Sequence, residues 1–145
     1  MQTLSTSVKT TRVSNAVAAG VTTINSAIID TLGFDSTRFE VLVGAINATG
    51  SVGITVQQGN VSDLSDAQNL AGAVSLNDTD DNKVAILEVL RTSRRYLRVQ
   101  VTRGTANSVI DGIIALQYGA RNLPTTDDAT TTKARSIVAN PIVDT

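Results

Sequence analysis

The chain contains no cysteine, no histidine and no tryptophan. Without cysteine it has no disulfides, no thiolate metal sites and no thiol catalysis, while its redox compartment stays undetermined. Without histidine, a general base would have to be Asp, Glu, Lys or Tyr. Glu40 and Glu88 are the only glutamates, and nothing in the sequence places them as a pair. A nucleophile elbow, a P-loop and a dinucleotide fingerprint are all missing, so an enzyme is not expected.

Aromatic residues make up only 3% of the chain: Phe34, Phe39, Tyr96 and Tyr118. With 41% hydrophobic residues, the core must therefore be aliphatic. Charged residues are also sparse, at 17%, against an ordinary share of about a quarter. A surface short of charge and rich in small hydroxyls fits a protein that works inside an assembly. The net charge of −1 provides no global field to recruit nucleic acid. No apolar run is long enough to cross a bilayer as a helix. Lys9 and Arg12 ahead of residues 13–20 vaguely suggest a leader, but the apolar stretch is short and holds Ser14 and Asn15, so a strand or arm followed by a turn at Gly20 is expected instead.

What is present is alternation. Residues 83–118 switch between two side-chain faces in three successive runs, the mark of half-buried strands joined by short turns. In the first run Ala85, Leu87 and Val89 oppose Val84, Ile86 and Glu88. In the second, Leu97, Val99 and Val101 oppose Tyr96, Arg98, Gln100 and Thr102. In the third, Ile110, Ile114, Leu116 and Tyr118 form an inner face with Gly112. Upstream, Phe39, Val41 and Val43 share one face. Asn47-Ala48-Thr49-Gly50 reads as a turn, and Val52, Ile54 and Val56 follow, so a hairpin is expected. Residues 21–32 read as one strand and Val74-Ser75-Leu76 as a short one. Residues 63–70 read either as a short helix or as an irregular loop.

The ends differ in character. Residues 1–20 read as an N-terminal arm or edge strand, residues 21–119 as the β-domain and residues 120–145 as a C-terminal arm. That last segment holds both prolines, Pro124 and Pro141, and a Thr/Asp-rich stretch. Its apolar patch Ile137-Val138-Ala139 suits strand addition to a neighbour, with a disordered terminus as the alternative. The fold class expected is all-β: an antiparallel β-sandwich, with a jelly-roll arrangement among the options, carrying extended N- and C-terminal arms.

Three motifs invite a chemical reading. Arg91, Arg94, Arg95, Arg98 and Arg103 cluster around one strand, with Arg94, Tyr96 and Arg98 on one face. Aromatic stacking partners and a basic excess are both missing, so salt bridges to a neighbouring subunit are favoured over nucleic acid. Asp78, Asp80 and Asn82 open like a calcium loop, but Lys83 stands where glycine belongs and Val89 where the closing glutamate belongs. A polar turn is the better reading. Asn-x-Ser/Thr triplets at Asn47, Asn60 and Asn77 are given no role, because they arise easily in such a composition.

Several landmarks together resemble a group of small tailed-bacteriophage virion proteins. They are Gly33-Phe34-Asp35, Val43-Gly44-Ala45-Ile46, Gln57-Gln58, Asp80-Asp81-Asn82-Lys83, Arg94-Arg95-Tyr96-Leu97-Arg98, Thr105-Ala106-Asn107 and Ala115-Leu116-Gln117-Tyr118-Gly119. The chain departs from that pattern at Thr92-Ser93, where a proline often follows the first arginine, and in the loop at residues 62–66, which lacks an aromatic. The resemblance implies a virion structural protein of the head-decoration (cement) type. Such a protein sits on the capsid exterior and is made in the bacterial host cytoplasm. Its partners would be the major capsid protein and copies of itself, commonly as a homotrimer. A head–tail connector or tail component is the alternative within the virion; a host-surface or carbohydrate-binding module is the alternative outside it. The candidate inter-subunit contacts are Arg91, Arg94, Tyr96, Arg98, Ile137 and Val138. No catalytic residue, cofactor, metal or membrane partner is expected.

Overall fold

The computed structural model describes residues 3–138. After a single helical turn, α1 (Leu4–Ser7), the chain forms β1 (Lys9–Ser14), β2 (Val17–Gly20), β3 (Ile24–Asn25), β4 (Ile29–Asp30) and β5 (Ser36–Ile46). It continues with β6 (Ser51–Gly59), β7 (Gln68–Asn69), β8 (Val74–Asn77), β9 (Val84–Val89), β10 (Tyr96–Gly104) and β11 (Ser108–Tyr118). These strands form two antiparallel sheets, a sandwich as the alternation indicates. Sheet A runs β1-β11-β5-β9, with β2 also on β11; sheet B runs β3-β10-β6-β7, with β4 on β10 and β8 on β6.

The pairing has a simple logic. Three edges are each built from two short pieces in line: β1 with β2, β3 with β4, and β7 with β8. Counted as edges, the first position pairs with the last strand (β11), the second with β10, β5 with β9, and β6 with the β7/β8 edge. The chain is thus one long antiparallel hairpin bent at residues 60–67. It is rolled up so that β11 also meets β5 and β10 also meets β6. That is the jelly-roll topology.

Rolling explains two corrections to the sequence reading. The expected hairpin between residues 38–46 and 51–59 does not form, because β5 lies in sheet A and β6 in sheet B. Asn47-Ala48-Thr49-Gly50 is instead an arch between the sheets, held by Asn47 N–H to the Asn107 carbonyl at 2.9 Å. Both flanking strands carry an apolar face, and the arch buries each against the other where a hairpin would lay them side by side. Likewise the three runs of residues 83–118 are not one sheet: β9 and β11 flank β5 in sheet A, whereas β10 is in sheet B.

Two further differences are local. Residues 21–32 are not one strand but β3 and β4, interrupted around Ser26. There the Ser26 hydroxyl accepts the Val99 N–H at 2.9 Å, and Ala27 N–H reaches across to the Val13 carbonyl at 2.7 Å. A side-chain oxygen replaces a ladder carbonyl, so the edge can kink between the sheets. In β11 the inner face is Ile110, then Ile113, Ala115 and Gln117, all without exposure. Ile114, Leu116 and Tyr118, expected inside, point outward. Ile110 pairs with Val43 and Gly112 with Leu42, so Asp111 is an extra residue, and this bulge shifts the alternation by one. Residues 63–70 form turns leading into β7, with Leu64 buried beneath them.

The core is aliphatic around one aromatic. Phe39, Val41, Ile54, Leu97, Val99, Val101, Ile110 and Ile113 have no solvent exposure. Each such side chain contributes about 1.5–3 kcal/mol relative to an exposed one.

The C-terminal segment folds back along β1. Thr125 N–H bonds the Thr6 carbonyl at 2.9 Å and its hydroxyl bonds the Val8 carbonyl at 2.9 Å. Asp127 accepts Thr10 N–H at 2.9 Å, the Thr132 hydroxyl donates to the Thr10 carbonyl at 2.9 Å, and Arg135 joins Asp127 to the Ser5 carbonyl. Removing residues 124–145 should leave the sandwich folded and destabilise it by roughly 2–4 kcal/mol, the value of a few half-exposed hydrogen bonds. Circular dichroism and limited proteolysis would check this. Retained β signal with early cleavage near residue 8 is expected, and loss of the β signal would make the segment part of the core.

Candidate interaction surfaces

The two outward faces differ in chemistry. On sheet B the outward side chains of β10 are Tyr96, Arg98, Gln100 and Thr102, and nearly all are engaged within the chain. Arg98 Nε donates to Gln57 Oε1 at 2.7 Å, and Gln57 Nε2 donates to Asn69 Oδ1 at 2.9 Å. Gln100 Nε2 reaches Asn25 Oδ1 at 3.1 Å, and the Thr102 hydroxyl reaches the Gly53 carbonyl at 3.2 Å. Arg95 grips Asp30 with two bonds of 2.8 Å and lies 5.3 Å from the centre of the Tyr96 ring. The Arg95 hydrogen bond holds the Asp30 carboxyl below its ordinary pKa, and the Asp30 bond in turn raises Arg95. Arg94 stands 3.9 Å from Asp66. Backbone N–H bonds, led by Asn60, hold the Asp66 carboxyl low. Most polar side chains of this face are thus engaged with one another.

The predicted contact residues therefore fall in different settings. Arg94, Tyr96 and Arg98 share the sheet B side: Arg98 is hydrogen-bonded to Gln57, Arg94 stands at ion-pair distance from Asp66, and the Tyr96 ring lies against Arg95. Arg91 sits in the turn after β9 with φ of +50°. Its N–H bonds Ser36 Oγ, while its guanidinium has no partner among the described residues. Ile137 and Val138 are exposed at the end of the described chain, whereas Ala139 of the same patch lies outside it. Asp78 and Asp80, read as a turn, accept backbone N–H groups of Thr49 and Asn77, and Asp80 also takes Lys83 at 2.7 Å. That lysine is the main reason the Asp80 carboxyl titrates low.

Arg103 belongs to neither face. It follows Leu97, Val99 and Val101 on the inner side of β10 and is 5% exposed. Its guanidinium donates to the carbonyls of Thr22, Ala18 and Ser108 at 2.7–2.8 Å and to the Thr22 hydroxyl at 2.9 Å. It ties β2 and the following loop to the ends of β10 and β11. Strand parity alone carried this signal, since residue 103 has the same parity as the three core residues before it.

Sheet A is apolar outside. Leu42, Val84, Ile86, Ile114 and Leu116 face outward around the Arg38–Glu40 pair, whose N–O distance is 3.1 Å. A groove of about 640 Å³ crosses this face, walled by Leu4, Val8, Leu116, Tyr118 and Leu123 with Arg38 and Glu40 beside them. Tyr118 donates its hydroxyl to Glu88, which raises the phenol's pKa. Val84 and Ile86, on the edge strand β9, are about half exposed, and Leu90 just beyond is 67% exposed. The sequence held a trace of this, for Lys83-Val84-Ala85-Ile86-Leu87-Glu88-Val89-Leu90 is apolar on both faces.

Among the described residues no three His, Cys, Asp or Glu side chains converge as a metal site, and no helix is long and apolar enough to cross a membrane. No family model and no curated protein sequence matches the chain. Solved structures do. The PBSX exported protein XepA superposes with a TM-score of 0.56 at 12% identity, over 97% of this chain and 46% of that one. This chain thus spans about half the length of that protein, and the two share a fold. A protein of the Bacillus endospore appendages, a family of disulfide-linked pili, gives a TM-score of 0.45 at 18% identity, covering 77% of this chain and 88% of that one. A protein of infectious bursal disease virus, Gx strain, gives 0.44 at 14% identity, covering 81% and 34%.

Proposed function

We propose that this chain is a phage virion structural protein that decorates the outside of an assembled head, with the apolar outer face of sheet A as its contact with the capsid protein. The observation that carries the reading is the asymmetry of the sandwich. One face ties most of its polar side chains to one another, and the other leaves Val84 and Ile86 about half exposed beside the partly exposed Leu42, Ile114 and Leu116. Contiguous apolar surface of that kind marks an interaction site. The phage origin of the exported protein that shares the fold supports the same direction, as does the resemblance carried by Arg94-Arg95-Tyr96-Leu97-Arg98 and Gln117-Tyr118-Gly119.

The mechanism is linkage. A protein that binds the assembled lattice and not its free subunits stabilises the lattice by mass action, and repeated weak contacts add through multivalency. Soluble protein should bind mature heads in a sedimentation assay. Leu116→Glu, which puts a charge in the apolar groove, should weaken binding at least about tenfold, a loss of ~1.4 kcal/mol. The Arg94→Ala, Arg98→Ala double variant should bind nearly as well as the parent, because Arg98 is already engaged with Gln57 and Arg94 with Asp66. The opposite pattern would move the contact to sheet B. A handful of copies per purified virion would replace decoration by a connector role.

A further inference from the structure

We propose that β9 is a docking edge for a second copy of this chain, joined strand to strand about a two-fold axis. Sheet edges expose backbone donors and acceptors, and proteins normally blunt them with charge, proline, bulges or a cover. Three of the four edges here are blunted. The outer side of β1 is capped by Asp127 and Thr132 on Thr10. The β3/β4 and β7/β8 edges are broken into pieces of two to four residues. By contrast β9 is six residues long and pairs with β5 alone.

Its open side can be read from the ladder. Val43 N–H bonds the Lys83 carbonyl at 3.0 Å, so Lys83 faces β5. Antiparallel alternation then turns the N–H and C=O groups of Val84, Ile86 and Glu88 away from the sheet. The only charge on that side is Glu88, at the strand's end and bonded to Tyr118.

Charge selects the occupant. β9 is preceded by Asp78, Asp80 and Asp81, with Lys83 their nearest counter-charge, and followed by Arg91, Arg94 and Arg95. In an antiparallel pair centred on Ile86, Val84 lies opposite the partner's Glu88, and Ile86 lies on the partner's Ile86. Arg91, in the turn after β9 and with its guanidinium otherwise unpartnered among the described residues, comes to the same end of the pair as the partner's acidic turn at Asp78, Asp80 and Asp81. Two-fold symmetry repeats each contact, which is the isologous arrangement. A parallel pair would set acid on acid and base on base. The two A sheets would then form one continuous sheet with a doubled apolar outer face. This is a two-fold pair, not the three-fold grouping that the resemblance implies.

Analytical ultracentrifugation of the full chain tests it. A dimer is expected, and Ile86→Lys, which sets two lysines together at the axis, should raise its Kd at least about tenfold. Arg91→Glu should also weaken it and flatten its salt dependence, since the lost pairs are screened charges. Because the chain has no cysteine, Ile86→Cys should yield one disulfide-linked dimer on mild oxidation. Val61→Cys, exposed but distant in sequence from the edge, should not. A monomer at the highest soluble concentration, a trimer indifferent to Ile86→Lys, or equal cross-linking at both cysteines would overturn the pairing. The proposal stands apart from the virion reading: monomers that bind heads defeat only the pairing, and dimers that do not bind defeat only the head assignment.

Discussion

Arg103→Ala should destabilise the sandwich by roughly 3 kcal/mol, the penalty for leaving several buried acceptors without a donor. The guanidinium serves three backbone carbonyls and the Thr22 hydroxyl from an almost fully buried position, with no carboxylate among its partners. Its role is geometric: one planar fork satisfies acceptors from β2, the loop after it and β11 at once. Lysine carries the charge but concentrates its donors at one point, so Arg103→Lys should recover little. For a domain of this size the loss corresponds to a fall in melting temperature of about 6–12 °C. A thermal melt of both variants is decisive. A shift under about 2 °C for alanine would mean that water satisfies those carbonyls equally well. Gly20 lies against the same group, since a Cβ there would come 3.1 Å from Arg103 Nη2.

Phe39→Ala should cost more, about 3–5 kcal/mol, the usual range for removing a buried ring. Phe39 is the only one of the four aromatic residues that is fully buried. It sits in β5, between β9 and β11 in the middle of sheet A, and pairs with Leu87 and Ala115. Its neighbours are branched aliphatics in a rolled-up topology and cannot collapse into the space without moving two sheets. Urea unfolding should show a lower midpoint with little change in slope. Phe34→Ala, at a half-buried turn position, serves as the comparison and should lose far less. Equal losses at the two positions would show that Phe39 is not the centre of the core.

Much of the fold was legible from side-chain periodicity. The inner residues of β6, β9 and β10, and those of β5 as far as Val43, follow it without a break, because a strand with one buried face must alternate. Where the reading went astray, a local device changed the parity or the partner. The extra residue Asp111 turned Ile114, Leu116 and Tyr118 outward, and the Ser26 hydroxyl broke one expected strand into two. The arch at residues 47–50 looked like a hairpin because both connections use the same turn residues, and only the destination of the next strand separates them. The interaction surface was harder still. Arginines drew attention as visible charges, yet their partners Asp30, Gln57 and Asp66 lie tens of residues away in sequence.

By itself, the sequence determined that this protein is an all-β chain with an aliphatic core and no histidine or cysteine chemistry, since composition and alternation are local properties. Tertiary structure alone decided which strands pair, that Arg103 is interior, and that the uncovered surface belongs to sheet A and the β9 edge. The reason is that exposure is set by what packs on top. In a rolled hairpin, that neighbour comes from the far end of the chain.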